Sequence, residues 1–346
     1  MNVKSVLFIR RDNIGDLVCT TPAIRAVRIK YPRCRIALLV NSYNAGVVRN
    51  NPDVNDVYVY EKFKHQSGGS RFTVWLDNLR LIGKIRRASF DVSIACGYAP
   101  SSRLARFALL TGARMRIGPV FAGNIGKAIV YTHPIDAPQG DKPIHEVQAM
   151  MRLLAPLGIK EGLELPLLVK PDEIEVQKAR AYLKTRIDES DRLIAIHISS
   201  RRPQNRWPVE RFKALADVIQ GRPGHRVLLL WSPGEKDNPL HPGDDEAAAA
   251  LAGAMKKEPI AYRTRSVEQL IAVLSMASMV VCCDGGAMHI AAGLGKPVLT
   301  IWGSTDKRRW SPWGVPSAVV QNGREAASVG VDEVIRAFDE LSGVPA

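Results

Sequence analysis

One stretch near the carboxyl end of the chain constrains the fold more than any other. Met279 to Cys283 is a short apolar run, as expected of a parallel strand buried on both faces. Asp284-Gly285-Gly286 interrupts the run. Ala287 to Gly293 then has the composition of a short helix, and Pro297 to Trp302 that of a second strand. A strand, a helix and a second strand in this order predict a parallel α/β sheet.

The turn in this stretch is suited to binding an anion. Gly285 and Gly286 allow a backbone conformation that other residues could not adopt, and they let a ligand come close to the main chain. The first amides of the following helix lack intrahelical partners, and the helix dipole favours negative charge there. Open α/β sheets bind ligands at the carboxyl ends of their strands, where this turn lies. The turn is therefore a candidate phosphate site.

The same residues carry a family resemblance. Asp-Gly-Gly-Ala-Met-His at 284–289, followed by Ala-Ala-Gly-Leu-Gly-Lys-Pro-Val at 291–298, resembles the nucleotide-binding motif of the heptosyltransferases, glycosyltransferase family 9. These enzymes build the inner core of bacterial lipopolysaccharide from ADP-heptose. The resemblance extends from Val6 to about Trp310. It implies an α/β fold of GT-B architecture, with two Rossmann-like βαβ domains facing a central cleft.

The rest of the chain supports two such domains. Apolar runs alternate with helical segments in both halves, starting with a strand at Val3 to Ile9. Lys160 to Pro171 shows no periodicity, so we place the boundary there. Residues 1–165 are expected to form an N-terminal acceptor-binding domain and residues 166–346 a C-terminal nucleotide-sugar-binding domain. The last helix, Val331 to Leu341, either stays with the second domain or packs back on the first.

Two helices and one loop are also predicted in the first domain. The sequence predicts one helix from Leu17 to Lys30 and another from Ile144 to Leu157, the latter capped by Gly158. His145-Glu146 lacks the second histidine of a zinc protease and is interpreted as structural. The polar loop Lys62 to Ser70 is either a lid over the acceptor or an ordinary surface loop.

Asp16 is the candidate catalytic residue. Asn13-Ile14-Gly15-Asp16-Leu17, with Thr20 to Ile24, resembles the N-terminal motif of the same family, in which the matching aspartate is the proposed general base. An acceptor hydroxyl is a poor nucleophile until a base such as a carboxylate takes its proton. The alternative is that Asp16 only stabilises a helix start, where acidic side chains are favoured. Asn13 and Gly15 are the candidate acceptor-binding residues.

The segment Ser199 to Pro208 is a second phosphate-accessible turn. Its arginines offer fixed donors that match diphosphate oxygens. It resembles a family segment that ends in Lys-Arg-Trp-Pro, but Asn205 stands in place of the lysine. That change removes one cation expected near the diphosphate, which Arg202 or Arg206 would have to replace. The alternative is an exposed basic loop.

Other side chains complete the candidate donor site. Glu235 matches a family glutamate near the nucleoside, where a carboxylate can accept both ribose hydroxyls; the alternative is a solvated loop glutamate. Asp284 is placed to bind sugar hydroxyls, and His289 either faces the diphosphate or packs. The donor-binding candidates are Ser199, Ser200, Arg202, Arg206, Glu235, Asp284, Gly285, Gly286, Ala287, Met288 and His289.

The composition of the chain limits the classes of molecule that it is expected to bind. The formal charge of +14 favours binding to a polyanion. The basic clusters are scattered, however, and only 6% of residues are aromatic, so we do not expect the protein to bind nucleic acid. The five cysteines show no Cys-x-x-Cys pairing, which indicates reduced thiols without a zinc site. We find no Asp-x-Asp, Gly-x-Gly-x-x-Gly or P-loop motif, so neither metal nor cofactor is expected. Helix dipoles and arginines would meet the charge of the leaving group instead.

These observations lead to one expected function. We expect a metal-independent, inverting glycosyltransferase that moves heptose from ADP-heptose to a lipopolysaccharide core or lipid A acceptor, with Asp16 as general base. With no apolar run of eighteen residues and no signal peptide, it is expected in the cytoplasm, peripherally associated with the inner membrane. The alternatives are a GT-B transferase with another donor or acceptor, a nucleotide-sugar epimerase of the same fold, and a non-catalytic binder of anionic glycolipid or nucleic acid.

Overall fold

The structure is a computed structural model in which the chain forms two compact units. The first is Met1–Leu168 and the second is Val169–Ala346, close to the division at 165/166 expected from the sequence. Each unit contains one six-stranded sheet with helices between its strands. The predicted fold class, two Rossmann-like α/β domains, is confirmed. The residues described are 3–61, 71–121, 129–139, 143–235 and 243–343.

The first sheet is parallel throughout. Its strands are β1 (Ser5–Ile9), β2 (Arg35–Asn41), β3 (Asp56–Tyr60), β4 (Val92–Ala95), β5 (Met115–Val120) and β6 (His133–Asp136). Their order across the sheet is β3-β2-β1-β4-β5-β6. The order reverses between β1 and β4, and doubly wound sheets bind ligands at that switch point.

The helices of the first unit differ from prediction at two places. They are α1 (Ile14–Val18), α2 (Thr21–Lys30), α3 (Arg71–Ala88), α4 (Ser102–Leu110) and α5 (Glu146–Arg152). The single helix predicted over Leu17 to Lys30 is wrong, because Pro22 has no N–H to donate to Val18. Instead the hydroxyl of Thr21 donates to the Val18 carbonyl at 2.7 Å.

The predicted helix over Ile144 to Leu157 is also shorter than expected. It ends at Arg152, and Ala155–Leu157 forms a 3₁₀ turn. Pro156 cannot donate to the carbonyl four residues earlier, which ends the α-helical bonding. Gly158 follows with a φ of 68°, the left-handed conformation predicted for it.

The second unit repeats the arrangement of the first. Its strands are β7 (Arg192–His197), β8 (His225–Leu230), β9 (Ile260–Ala261), β10 (Met279–Cys283), β11 (Val298–Trp302) and β12 (Ser317–Gln321). Its helices are α6 (Glu173–Lys184), α7 (Val209–Gln220), α8 (Asp245–Ala254), α9 (Val267–Ser275), α10 (Gly286–Gly293), α11 (Lys307–Trp310) and α12 (Val331–Ser342). The parallel order β12-β11-β10-β7-β8-β9 places the switch point between β7 and β10.

The last helix packs into the core of the second unit. Val334 and Phe338 of α12 are fully buried in one apolar cluster with Val281 of β10 and Leu299 of β11. The predicted loop Lys62 to Ser70 lies outside the described residues. Among the helices that the structure describes, none is long and apolar enough to cross a membrane.

Candidate functional site

The switch point of the first unit brings Asp16 to the carboxyl end of β1. Asp16 is the third residue of α1, and its Oδ2 accepts from the main-chain N of Asn13 at 3.1 Å and from Asn13 Nδ2 at 3.2 Å. Its side chain is 15% exposed. Asp16 therefore stabilises the helix start, as the structural alternative expected, while part of its carboxylate remains accessible. Asn13 is exposed beside it, and Gly15 is buried within α1.

A buried arginine holds the other oxygen of Asp16. Arg10 follows β1 directly, is 1% exposed, and donates from Nη2 to Asp16 Oδ1 at 2.7 Å. The same Nη2 donates to Oε1 of the fully buried Glu146 at 2.7 Å. Nη1 contacts the Cys96 carbonyl at 3.1 Å and Met150 Sδ at 3.0 Å. The guanidinium thus joins β1, β4 and α5 around the candidate base.

Sequence reasoning missed both Arg10 and Glu146. Arg10 counted only among the scattered basic residues, and Glu146 was interpreted as structural. His145 does act structurally, since its Nδ1 accepts from the amide of Val147 at 3.2 Å at the start of α5. The signal that points to Arg10 is an arginine directly after a buried strand, where a charge must find a partner.

The electrostatics of this cluster keep Asp16 ionised. Burial raises the pKa of the Asp16 carboxyl, but the charge of Arg10 and the hydrogen bonds from Asn13 outweigh burial, so the pKa lies below its usual value. The pKa of Asp12 is raised, mainly by burial and against the charge of Arg10, whose Nε lies 3.5 Å from Asp12 Oδ2. At neutral pH, Asp16 is therefore a carboxylate that can accept a proton.

In the second unit, the loops after β7 and β10 meet at the other switch point. Ser200 Oγ donates to the main-chain carbonyl of Asp284 at 3.2 Å. Ser199 Oγ accepts from the amide of Ser232, the second residue after β8, at 2.8 Å. Both serines are buried. They therefore tie together three of the loops in which the sequence places the donor.

Asn205 is buried against Asp284. Its Nδ2 donates to Asp284 Oδ2 at 2.8 Å and lies 3.2 Å from Thr305 Oγ1, and Thr305 Oγ1 donates to the same carboxylate oxygen at 2.6 Å. Asn205 is 1% exposed. A Cβ on Gly303 would lie 2.2 Å from the carbonyl oxygen of Gln204, so the segment carrying Asn205 packs directly on the end of β11. Asn205 and Thr305 fix one face of the Asp284 carboxylate.

The two arginines expected to replace the missing lysine have different settings. Arg206 donates from Nε to the Ser200 carbonyl at 2.8 Å and from Nη1 to Asp244 at 2.6 Å. Arg202 is exposed. Burial raises the pKa of Asp284, and this rise is opposed by the Thr305 hydrogen bond and by the charge of Arg202. Arg202 is therefore an exposed cation close enough to Asp284 to influence it, whereas Arg206 is already ion-paired.

The turn at α10 leaves room for a ligand. Gly285 has a φ of 164°, which is extended backbone, so the expectation that this turn requires a glycine conformation is wrong for Gly285. Among the residues that the structure describes, a Cβ there would meet nothing within 4 Å, and no side chain caps the helix. The helix α10 begins with Gly286, Ala287 and Met288. The main-chain N–H groups in the first turn of a helix have no carbonyl acceptor within the helix. The open space and the uncapped helix start fit an anion.

The remaining predicted residues, His289 and Glu235, differ in burial. His289 is 3% exposed, and its ring packs edge-on against Trp310, with 5.8 Å between centroids. Glu235 is exposed, and its main-chain carbonyl accepts from the amide of Gly243 at 2.8 Å. His197, which the sequence analysis missed, ends β7; burial lowers its pKa to about 4 against the opposing charge of Asp244, so it is neutral at pH 7.

No group of three or more His, Cys, Asp or Glu side chains suited to a metal ion occurs within the described ranges. The candidate site therefore offers an ionised, partly exposed carboxylate in the first unit, and an open helix start and an exposed arginine in the second.

Comparisons with known proteins agree with this arrangement. The model of glycosyltransferase family 9 (heptosyltransferase) matches residues 78–334. Lipopolysaccharide heptosyltransferase 3 of Escherichia coli (strain K12) is 26% identical over 86% of this chain and 82% of its own length.

Solved structures show the same fold. A family 9 glycosyl transferase from Veillonella parvula DSM 2008 has a TM-score of 0.82 and 19% identity, covering 99% of this chain and 98% of its own. E. coli ADP-heptose lps heptosyltransferase II has a TM-score of 0.74 and 17% identity, covering 97% and 98% of the two chains. The GT-B fold and the family resemblance are confirmed. Because the family model covers most of the chain, this protein belongs to glycosyltransferase family 9 and is a glycosyltransferase.

Proposed function

We propose that the chain is an inverting heptosyltransferase that moves heptose from ADP-heptose to a lipopolysaccharide core acceptor. Relatives named lipopolysaccharide heptosyltransferases align over more than four fifths of the chain. E. coli heptosyltransferase WaaC, solved with ADP-2-deoxy-2-fluoro heptose, shares the fold with a TM-score of 0.70. The observation that carries the proposal is the carboxylate of Asp16, ionised and partly exposed at the switch point of the first sheet.

Asp16 acts as the general base in this proposal. Its carboxylate accepts the proton of an acceptor hydroxyl as the hydroxyl oxygen bonds to the anomeric carbon of the donor. The bond from that carbon to the diphosphate breaks in the same displacement, ADP leaves with the bonding electron pair, and the anomeric configuration inverts. Asn13 and Gly15 lie beside Asp16 and complete the proposed acceptor-binding residues of the N-terminal domain.

The second unit holds the donor in this proposal. The amides that open α10, at Gly286, Ala287 and Met288, bind the diphosphate together with the exposed Arg202. Asp284, fixed on one side by Asn205 and Thr305, accepts hydrogen bonds from hydroxyls of the sugar.

The other candidates of the donor site have supporting roles. Glu235 accepts the ribose hydroxyls. Ser199, Ser200 and Arg206 hold the loops in place through the contacts described above, and His289 packs beneath the turn.

We also propose that the enzyme works in the cytoplasm, at the cytoplasmic face of the inner membrane. The acceptor in the proposed reaction is a phosphorylated lipid, and the chain carries a formal charge of +14. Basic proteins are attracted to anionic lipid surfaces without needing a spanning segment. Sedimentation with anionic vesicles, absent with neutral ones, is the expected behaviour.

Nucleotide binding tests the donor first. A ligand that binds the folded state raises the melting temperature by mass action. We expect ADP to raise the Tm, with UDP, GDP and CMP having smaller effects, and Asp284→Ala to reduce the shift given by ADP-heptose. Turnover of ADP-heptose with a lipid A–Kdo acceptor, and the anomeric configuration of the product by NMR, then test the reaction. A Tm that none of the four nucleotides moves would contradict the proposal and favour a non-catalytic binder.

A further inference from the structure

The contacts of Arg10 exceed what a helix start needs. A buried charge must be paired and hydrogen-bonded to be tolerated. Arg10 is 1% exposed, and Asp16 alone would be sufficient to pair its charge. The fully buried Glu146 nevertheless binds the same Nη2 at the same distance of 2.7 Å, and Cys96 and Met150 hold Nη1. The guanidinium is therefore fixed by β4 and α5, and it cannot turn to follow Asp16.

We propose that Arg10 and Glu146 act together as positioning residues that fix the orientation of Asp16 and set its strength as a base. This inference rests on the proposed role of Asp16 in catalysis. It deepens that role by assigning a function to two side chains that do not touch the substrate themselves.

The geometry distinguishes the two oxygens of Asp16. Oδ1 accepts a charge-assisted bond from Arg10 at 2.7 Å, whereas Oδ2 accepts from the neutral donors of Asn13 at 3.1 and 3.2 Å. Charge-assisted bonds are about twice as strong as neutral ones. Oδ2 is therefore the oxygen that takes the proton, and an acceptor hydroxyl displaces the Asn13 side chain to reach it.

Glu146 limits how strongly Arg10 stabilises the ionised base. Within the described part of the chain, the charged groups facing Asp16 are Arg10 and Asp12 from the β1–α1 segment and Glu146 from the start of α5. Arg11, the next cation, turns away and stacks on Tyr60 and Phe107. With Glu146 neutral, the charge of Arg10 would act mainly on Asp16, and Asp16 would become a weaker base.

Glu146→Gln separates charge from shape. Glutamine keeps Oε1 as an acceptor for Arg10, removes the negative charge and replaces Oε2 by an amide nitrogen of nearly the same size. We expect the pKa of Asp16 to fall by about one unit. The acid limb of the pH profile of kcat should move down by the same amount, and the plateau of kcat should fall about threefold, as Brønsted behaviour requires of a weaker base. The KM for the acceptor should not change.

Arg10→Lys tests the other half of the pair. An ammonium group retains the charge but loses the planar guanidinium, which bonds Asp16 and Glu146 through Nη2 and the Cys96 carbonyl through Nη1. We expect a lower kcat with little change in KM and an acid limb at higher pH. Because this variant removes contacts from a buried site, its fold is checked by its melting temperature before kinetics are interpreted.

Asp53→Asn is the matched control. Asp53 is another buried carboxylate of the first unit, 2% exposed and paired with Arg25 at 2.8 Å. Its replacement should lower the melting temperature and leave the pKa of Asp16 and the acid limb where they are. A shift in the control equal to that of Glu146→Gln would overturn the proposal, because any loss of buried charge would then act alike.

A titration without turnover separates the two levels of the proposal. The carboxyl of Asp16 is followed by ¹³C NMR in protein labelled at aspartate, with Asp16→Asn for assignment. A shifted pKa in Glu146→Gln with an unshifted kinetic profile would support the pair and refute Asp16 as the base. An unshifted pKa would overturn the pair, even if kcat fell.

Discussion

Replacing Asn205 with aspartate tests the contact that fixes the Asp284 carboxylate. Asn205→Asp exchanges the Nδ2 donor, 2.8 Å from Asp284 Oδ2, for an oxygen of the same size. Asn205 is 1% exposed, so little water reaches the site to screen the new charge. Two carboxylates this close cannot both ionise, and the pair must share a proton.

The expected loss of stability follows from the free energy of keeping one of the two carboxyl groups protonated in the folded variant. An ordinary aspartate has a pKa of about 3.9, and each pH unit above it adds about 1.36 kcal/mol to the free energy of keeping it protonated. At pH 7 the folded variant therefore loses up to about 4 kcal/mol of its free energy of unfolding. For a unit of this size, that loss corresponds to a Tm about 10 °C lower.

The difference in stability between the variant and the wild type should grow as the pH rises. The folded pair in the variant has a raised pKa, whereas the unfolded chain titrates normally. The variant should therefore match the wild type near pH 4 and fall behind it as the pH rises towards 7. Urea unfolding of both proteins at pH 4, 5.5 and 7 measures the gap.

A double variant supplies the control. Asn205→Asp with Asp284→Asn exchanges the amide and the carboxylate and restores one charge-assisted hydrogen bond, so it should recover most of the loss at pH 7. A stability gap that is the same at pH 4 and pH 7, or a double variant no better than the single one, would refute the assigned contact between Asn205 and Asp284.

Three further outcomes are expected. The pKa of His197 is about 4 in the folded protein and 6.5 in the unfolded chain. The free energy of unfolding should therefore fall by about 3 kcal/mol between pH 7 and pH 4 because of this residue. In urea titrations, His197→Gln should abolish this contribution to the pH dependence. Gly293→Ala should cost about 1–3 kcal/mol, since its Cβ would lie 2.5 Å from Val169 Cγ2, whereas Gly253→Ala in α8, with nothing within 4 Å, should not destabilise. Asp16→Asn should lower kcat by about 10²–10⁴-fold and leave the ADP-induced Tm shift unchanged, and a kcat within tenfold of wild type would contradict its role.

Local patterns were sufficient for strands with a continuous apolar run and not for two of the edge strands. Met279–Cys283 was predicted with its observed bounds, because a strand buried on both faces is a continuous apolar run. The edge strands His133–Asp136 and Ser317–Gln321 were missed, since they are half-exposed and lack such a run. The break before Thr21–Lys30 follows from Pro22, whose missing N–H is replaced by the Thr21 hydroxyl, and apolar periodicity alone does not reveal it.

In the candidate site too, some residues could be predicted from the sequence, whereas others became evident only from the fold. Asp16 and Asp284 each follow a strand, so position and resemblance were enough to single them out. Glu146 lies 136 residues from Arg10 in the chain, and only the fold brings them together. At Asn205, the sequence shows a missing cation, but its burial beneath Asp284 depends on the close approach of Gly303 to Gln204.

That close approach at Gly303 also bears on the thermodynamics of nucleotide binding. The segments after β7, β10 and β11 are bonded to one another through Ser200, Asn205 and Thr305, by contacts within the chain itself. Ordering a free loop costs about 1–2 kcal/mol of conformational entropy for each residue. These segments have already lost that freedom on folding, so ADP should find a preorganised surface. Their amides should exchange slowly with deuterium in the unliganded protein, and ligand binding should add little protection beyond the amides it contacts directly.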